Sequence, residues 1–120
     1  MFVLRSRSPG ISPRHAQKLV TVYILEVVGG PLDGKTWPFD RDITIGRDDA
    51  VAGACIKLDR YVSRRHAQLR EEGGTLVLTD LSSRNGTKVD GRQVAGDAAL
   101  GVGDRFQVGH TFLRVKRTAP

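Results

Sequence analysis

Apolar and polar positions alternate in short runs along most of the chain. Val20–Val28 (VTVYILEVV) is rich in β-branched and aromatic residues and stops at Gly29-Gly30, which predicts a strand. Lys35–Phe39, Asp42–Ile45 and Ala54–Leu58 predict three more. Ala67–Glu71 and Thr75–Asp80 flank Gly73-Gly74, and this pattern predicts a hairpin. Thr87–Val89 and Arg92–Val94 flank Asp90-Gly91, a strong tight-turn signal, and Arg105–Val108 and Thr111–Val115 flank Gly109-His110. No segment keeps a helical period over three turns. Short strands with turn signals at this spacing predict an all-β sandwich or barrel.

The start of the chain reads differently. Ser8-Pro9-Gly10 and Ser12-Pro13 interrupt it and its hydrophobicity has little period. The expected organisation is a flexible basic leader over 1–19, with a short helix over 14–19 as a local alternative. A domain over 20–115 and a basic tail over 116–120 follow.

Composition sharpens this picture. A chain of 120 residues, 39% hydrophobic, is the size of one domain and too apolar to be wholly disordered. The single cysteine, Cys55, excludes an internal disulfide framework and is expected in the core. The longest nearly unbroken apolar run, Leu19 to Leu25, is far too short to cross a bilayer. The opening MFVLRSRSPG has no apolar h-region, so no secretory signal is expected and a cytoplasmic setting is.

The formal net charge of +6 invites a nucleic-acid reading. Its distribution does not support one for the domain. Residues 1–20 hold Arg5, Arg7, Arg14 and Lys18 without an acid, and residues 114–120 hold Arg114, Lys116 and Arg117 without an acid. Residues 21–113 carry 12 basic and 13 acidic side chains. The basic ends are expected to be solvated tails, with at most weak nonspecific contact with acidic partners. No specific nucleic acid is expected.

Gly29-Gly30-Pro31-Leu32-Asp33-Gly34-Lys35-Thr36 matches the phosphate-loop spacing G-x-x-x-x-G-K-[ST]. The chemistry also needs a helix after the loop, whose N-terminal amides hold the phosphates. Trp37-Pro38-Phe39 follows instead, and Pro38 lacks the N–H that a helix interior needs. The stretch reads as a glycine-rich hairpin turn.

Three short segments at strand ends carry the candidate chemistry: Ile45-Gly46-Arg47-Asp48, Val62-Ser63-Arg64-Arg65-His66-Ala67, and Asp80-Leu81-Ser82-Ser83-Arg84-Asn85-Gly86-Thr87. Together they offer guanidinium groups, hydroxyls and an amide with little nearby acid, an inventory suited to a tetrahedral dianion.

The order G-R, then S-x-x-H, then S-x-N-G-T in a small all-β chain resembles a forkhead-associated (FHA) domain. The resemblance covers roughly residues 21–115. It implies a twisted antiparallel β-sandwich of about eleven short strands with binding loops at one end. It also implies recognition of phosphothreonine in an extended segment of a partner, a kinase or a kinase substrate, with no cofactor. A phosphate-independent scaffold or self-association domain of the same fold is the alternative. By resemblance, Arg47 is aimed at the phosphate, and the hydroxyl and backbone N–H of Ser63 hold phosphate oxygens. Arg64 or Arg65 supplies a further basic contact, with Arg65 preferred, and Asn85 holds the peptide main chain. Either Ser83 provides a third phosphate contact or Arg84 adds charge at the rim. Gly46, His66, Gly86 and Thr87 are framework positions, with His66 expected as a buried histidine satisfied by backbone. Some family members bind a phosphothreonine in their own tail. Residues 1–20 contain serines but no threonine, and Thr118 is the lone threonine after 115, so that mode is not expected.

Other chemistries lack support. Ser63 and His66 would need an orienting acid and an oxyanion hole to act as a hydrolase. His15 and His110 are separated and lack ligand partners for a metal.

Overall fold

The computed structural model describes residues 22–118. These contain eleven β-strands and no helix. In chain order they are β1 (Tyr23–Gly29), β2 (Thr36–Phe39), β3 (Asp42–Gly46), β4 (Ala54–Cys55), β5 (Ala67–Glu72) and β6 (Thr75–Asp80), then β7 (Thr87–Val89), β8 (Arg92–Gln93), β9 (Asp97–Leu100), β10 (Arg105–Val108) and β11 (Thr111–Arg117). One sheet has five strands in the order β9-β6-β5-β3-β4, the other six in the order β2-β1-β11-β10-β7-β8.

The period-two pattern decides which side chains fill the sandwich. Tyr23, Leu25 and Val27 of β1 and Leu113 and Val115 of β11 are buried from one sheet. Ile43 and Ile45 of β3, Leu69 of β5 and Leu76 and Leu78 of β6 meet them from the other. Each fully buried leucine or phenylalanine stabilises by about 1.5–3 kcal/mol relative to exposure. Trp37 packs partly buried against this core and Phe39 is buried within it.

The stretch with phosphate-loop spacing is a turn. The Gly34 N–H donates to Val27 O, the Lys35 N–H donates to Leu32 O, and β2 then pairs antiparallel with β1. Pro38 lies on this edge strand, where a missing N–H costs little.

The structure differs from expectation in four places. Ala54–Leu58 yields only Ala54–Cys55, and it pairs parallel to β3 through Ile45↔Ala54 and Gly46↔Cys55. The chain turns there because the Ile56 N–H reaches Gly46 O while the Ile56 side chain enters the core. Cys55 is half-buried rather than in the core, with its thiol 3.5 Å from Arg47 O. Strand β9 is new: Asp97-Ala98-Ala99-Leu100 has weak β-propensity, and its pairing with β6 from Asp97↔Thr79 to Leu100↔Leu76 makes it a strand. Strand β11 runs through Arg117, and Thr118 closes onto Val22 O, so regular structure passes residue 115. The leader over 1–19, including its possible helix, lies outside the described residues.

Candidate functional site

The three sequence segments meet at one end of the sandwich, where β3, β4, β5, β6 and β7 give way to loops. The first contact is backbone. The Arg47 N–H donates to Ser63 O at 3.0 Å and the His66 N–H donates to Ile45 O at 2.8 Å. Gly46 permits this approach, because a Cβ there would overlap the carbonyl oxygen of Arg64. Gly46→Ala is therefore expected to destabilise the domain by about 1–3 kcal/mol, measured by urea denaturation. A wild-type midpoint would show that the two loops do not need this contact.

His66 joins the second and third segments. Its ring is fully buried. Nδ1 accepts the Ser63 N–H at 2.9 Å, and Nε2 lies 2.8 Å from Gly86 O. A carbonyl can only accept, so Nε2 carries the proton and the ring is neutral. Burial pushes its pKa below the ordinary 6.5, although the Gly86 carbonyl and the nearby Asp80 and Asp59 charges oppose that shift. The unfolded chain then binds more protons between the lowered folded value and 6.5. His66 contributes this stability fully above pH 6.5 and loses it as pH falls toward the folded value. NMR of the ring is expected to show the neutral Nε2–H form persisting to a lower pH than in a free imidazole, with the denaturation midpoint falling as pH drops below 6.5. A ring that titrates at the ordinary value would contradict the assignment.

Arg47 is exposed, and its Nε donates to Val62 O at 2.9 Å. That bond fixes the guanidinium while leaving two terminal nitrogens, which have no hydrogen-bonded acceptor among the described residues. The Ser63 hydroxyl accepts the Arg84 N–H at 2.9 Å and keeps its own proton. The Ser63 backbone N–H, assigned to phosphate by resemblance, is instead spent on His66 Nδ1. Ser63 therefore offers a ligand its hydroxyl alone. Arg64 and Arg65 are exposed and line an open depression with Ser63, Asp48 and Val51. Asn85 donates from Nδ2 to Tyr61 O at 2.8 Å, leaving its Oδ1 and second amide proton.

Ser83 does not face the depression with a free hydroxyl. Its Oγ–H donates to Asp80 Oδ1, and its N–H donates to Asp80 Oδ2 at 3.1 Å. Thr87, fully buried, donates its hydroxyl to Asp80 at 2.7 Å. Burial pushes the Asp80 carboxyl up, but the Ser83 and Thr87 bonds more than offset this and hold it low. Ser83 and Thr87 thus brace the third loop, while Arg84 stands exposed at the rim. Gly86 completes the loop at φ +82, where an added Cβ would overlap the Gln93 side chain.

Asp59 carries no motif in the sequence. It is 2% exposed and accepts the Tyr61 N–H at 3.0 Å, the His110 N–H at 2.8 Å and the Thr111 hydroxyl at 2.6 Å. These bonds tie the loop before Ser63 to the β10–β11 turn, where the Tyr61 and His110 rings stack with centroids 4.0 Å apart. Tyr61 O and Val62 O are the acceptors that hold Asn85 and Arg47, so Asp59 supports both. Its only sequence signal is a lone acid between Lys57 and Arg60. Asp59→Ala would strand three buried or half-buried donors and is expected to cost at least about 2 kcal/mol, read from chemical denaturation. An unchanged midpoint would remove Asp59 from this role.

Comparison with known proteins matches residues 43–109 to the FHA domain family. The chain belongs to the FHA domain family. Glycogen accumulation regulator GarA of Mycolicibacterium smegmatis is 47% identical over 97 residues, covering 81% of this chain and 60% of that protein. The chain therefore spans a little over half the length of this FHA relative. The FHA domain of the CT664 protein from Chlamydia trachomatis superposes with a TM-score of 0.74 at 25% identity, covering 82% of this chain and 99% of that one. Another FHA structure, from an analysis of phosphothreonine-dependent FHA domain interactions, gives 0.70 at 32% identity over 82% of this chain and 98% of its own.

Proposed function

We propose that this FHA domain is a reader of phosphothreonine: it binds a threonine-phosphorylated segment of a protein partner, a kinase or a kinase substrate, and performs no catalysis. The supporting observation is the convergence of Arg47, Ser63 and Asn85 from three loops, each held by a hydrogen bond that leaves polar capacity for a ligand. Family membership and the phosphothreonine-dependent interactions of a relative at 32% identity support the same reading.

A phosphothreonine carries nearly two negative charges and three strong acceptor oxygens. In this reading the terminal nitrogens of Arg47 and the Ser63 hydroxyl take phosphate oxygens. Arg64 and Arg65 add positive field from the adjacent wall. Arg84 adds rim charge, and Ser83 serves the loop rather than the phosphate. Asn85 pairs with the peptide main chain, to which its amide offers both a donor and an acceptor. The loops sit on a rigid sandwich, so little ordering is required on binding. A cytoplasmic setting belongs to this proposal. No helix among the described residues is long and apolar enough to cross a membrane.

The test is selection from degenerate peptide libraries with a fixed central phosphothreonine, phosphoserine or threonine. Enrichment from the phosphothreonine library alone is expected. Equal enrichment from the unmodified library would overturn the proposal and favour a phosphate-independent scaffold.

A further inference from the structure

The two outer faces of the sandwich carry opposite charge. On the six-stranded sheet, register places Lys88 opposite Gln107, Gln107 opposite Phe112, Arg105 opposite Arg114, and Arg114 opposite Glu26. Directly opposed residues share a face. Lys116 lies on this face two residues beyond Arg114, so four cations stand against one carboxylate. Glu26 is already engaged, 3.0 Å from Arg114 and 3.5 Å from Lys116. Lys88 and Arg105 have no carboxylate at ion-pair distance among the described residues. On the five-stranded sheet, Asp42, Glu72 and Asp97 surround the single cation Arg70, which pairs with Glu72 at 2.8 Å and Asp97 at 3.2 Å.

The basic face also has an aromatic centre. Phe112 lies against Gly29 and remains 41% exposed, although a strand of this sheet has ample core on its other side. Beside it is a shallow depression of about 230 Å³ bounded by Lys88, Arg105, Gln107, Phe112 and the Asp90-Gly91 turn. An open aromatic beside two long cationic side chains, Lys88 and Arg105, with Asp90 at the turn, suits a ligand that is acidic and partly apolar.

We propose that this face is a second docking surface, which takes an acidic segment of a protein partner presenting an aromatic or apolar side chain to Phe112. Charge argues against the occupants that lie nearer to hand. Residues 1–20 hold four cations and no acid, so the chain's own leader would be repelled. A symmetric pair of copies would set like charges together. A basic-on-acidic pair of copies would be head-to-tail and would leave one charged face open on each copy. The face is built on strands, while Arg47, Ser63 and Asn85 stand on loops. The contact therefore does not depend on phosphate.

The test uses the full chain and three probes: an unphosphorylated nonapeptide of glutamates around one phenylalanine, the same peptide with glutamines, and a thymidine oligonucleotide. Amide shifts on titration with the acidic peptide are expected at Lys88, Gln107, Phe112 and Arg114, with none at Ser63 or Asn85. The glutamine peptide is expected to give none. Charge reversal in the Lys88→Glu, Arg105→Glu double variant is expected to weaken acidic-peptide binding at least about tenfold, and Phe112→Ala to weaken it severalfold. Arg47→Ala is expected to leave it unchanged, which separates this surface from the phosphothreonine reading. Absence of shifts, shifts confined to the loops, full binding by the folded double variant, or tighter binding of the oligonucleotide would overturn the proposal.

Discussion

Replacing Arg47 with alanine is expected to weaken binding of a phosphothreonine peptide about tenfold to a hundredfold. Each charge-assisted hydrogen bond is worth about 1.5–3 kcal/mol, and the phosphate loses at least one. The fold should survive the change. Arg47 is exposed and its one hydrogen bond to the protein, to Val62 O, is made by Nε at the surface. Its backbone link to Ser63 O does not involve the side chain. Calorimetric titration beside a melting curve checks both halves. Wild-type affinity in Arg47→Ala would remove this residue from the phosphate site. Lost affinity with a collapsed melting curve would make its role structural.

His66→Ala is expected to show the reverse pattern, with stability lost first. The substitution removes a fully buried ring, opens a cavity, and strands the Ser63 N–H and Gly86 O. Together these effects are expected to cost about 3–5 kcal/mol. For a domain of this size that lowers Tm by more than about 10 °C. Phosphopeptide affinity at a temperature where the variant is still folded should also fall, because Ser63 loses the bond that holds its loop. An unchanged Tm would refute the framework role, and the loss of stability that sets in as pH falls just below 6.5 should vanish in any His66 variant that folds, leaving the acid sensitivity of low-pKa carboxylates such as Asp80 at lower pH.

Much of the sandwich was legible in the sequence because its strands alternate strictly. Leu69 against Leu78 and Phe106 against Leu113 are positions where buried side chains recur every second residue. Glycine turns were legible for the same local reason. Gly73 and Gly74 have φ of +60 and +87, which only glycine adopts freely. Strand β9 was not legible, because Ala98 and Ala99 carry no pattern and become a strand only through pairing with β6. The apolar run extends past the end of β4, because Ile56 continues it while its backbone has already turned away.

The candidate site was legible as three segments but not as a network. Nothing in the order of residues says that Ser63 gives its N–H to His66, that Ser83 gives its hydroxyl to Asp80, or that Asn85 is held by Tyr61 O. Asp59 shows the limit most clearly. Its partners His110 and Thr111 lie about fifty residues further along the chain, so only the folded β10–β11 turn brings them to it.

The most direct measurement is a paired NMR titration of the wild-type chain with one extended peptide in threonine and phosphothreonine forms. Only the phosphorylated peptide is expected to shift the amides of Arg47, Ser63, Arg64, Arg65, Arg84 and Asn85. Identical shifts from both peptides, or shifts from the phosphorylated one confined to other surfaces, would contradict phosphothreonine recognition by these loops.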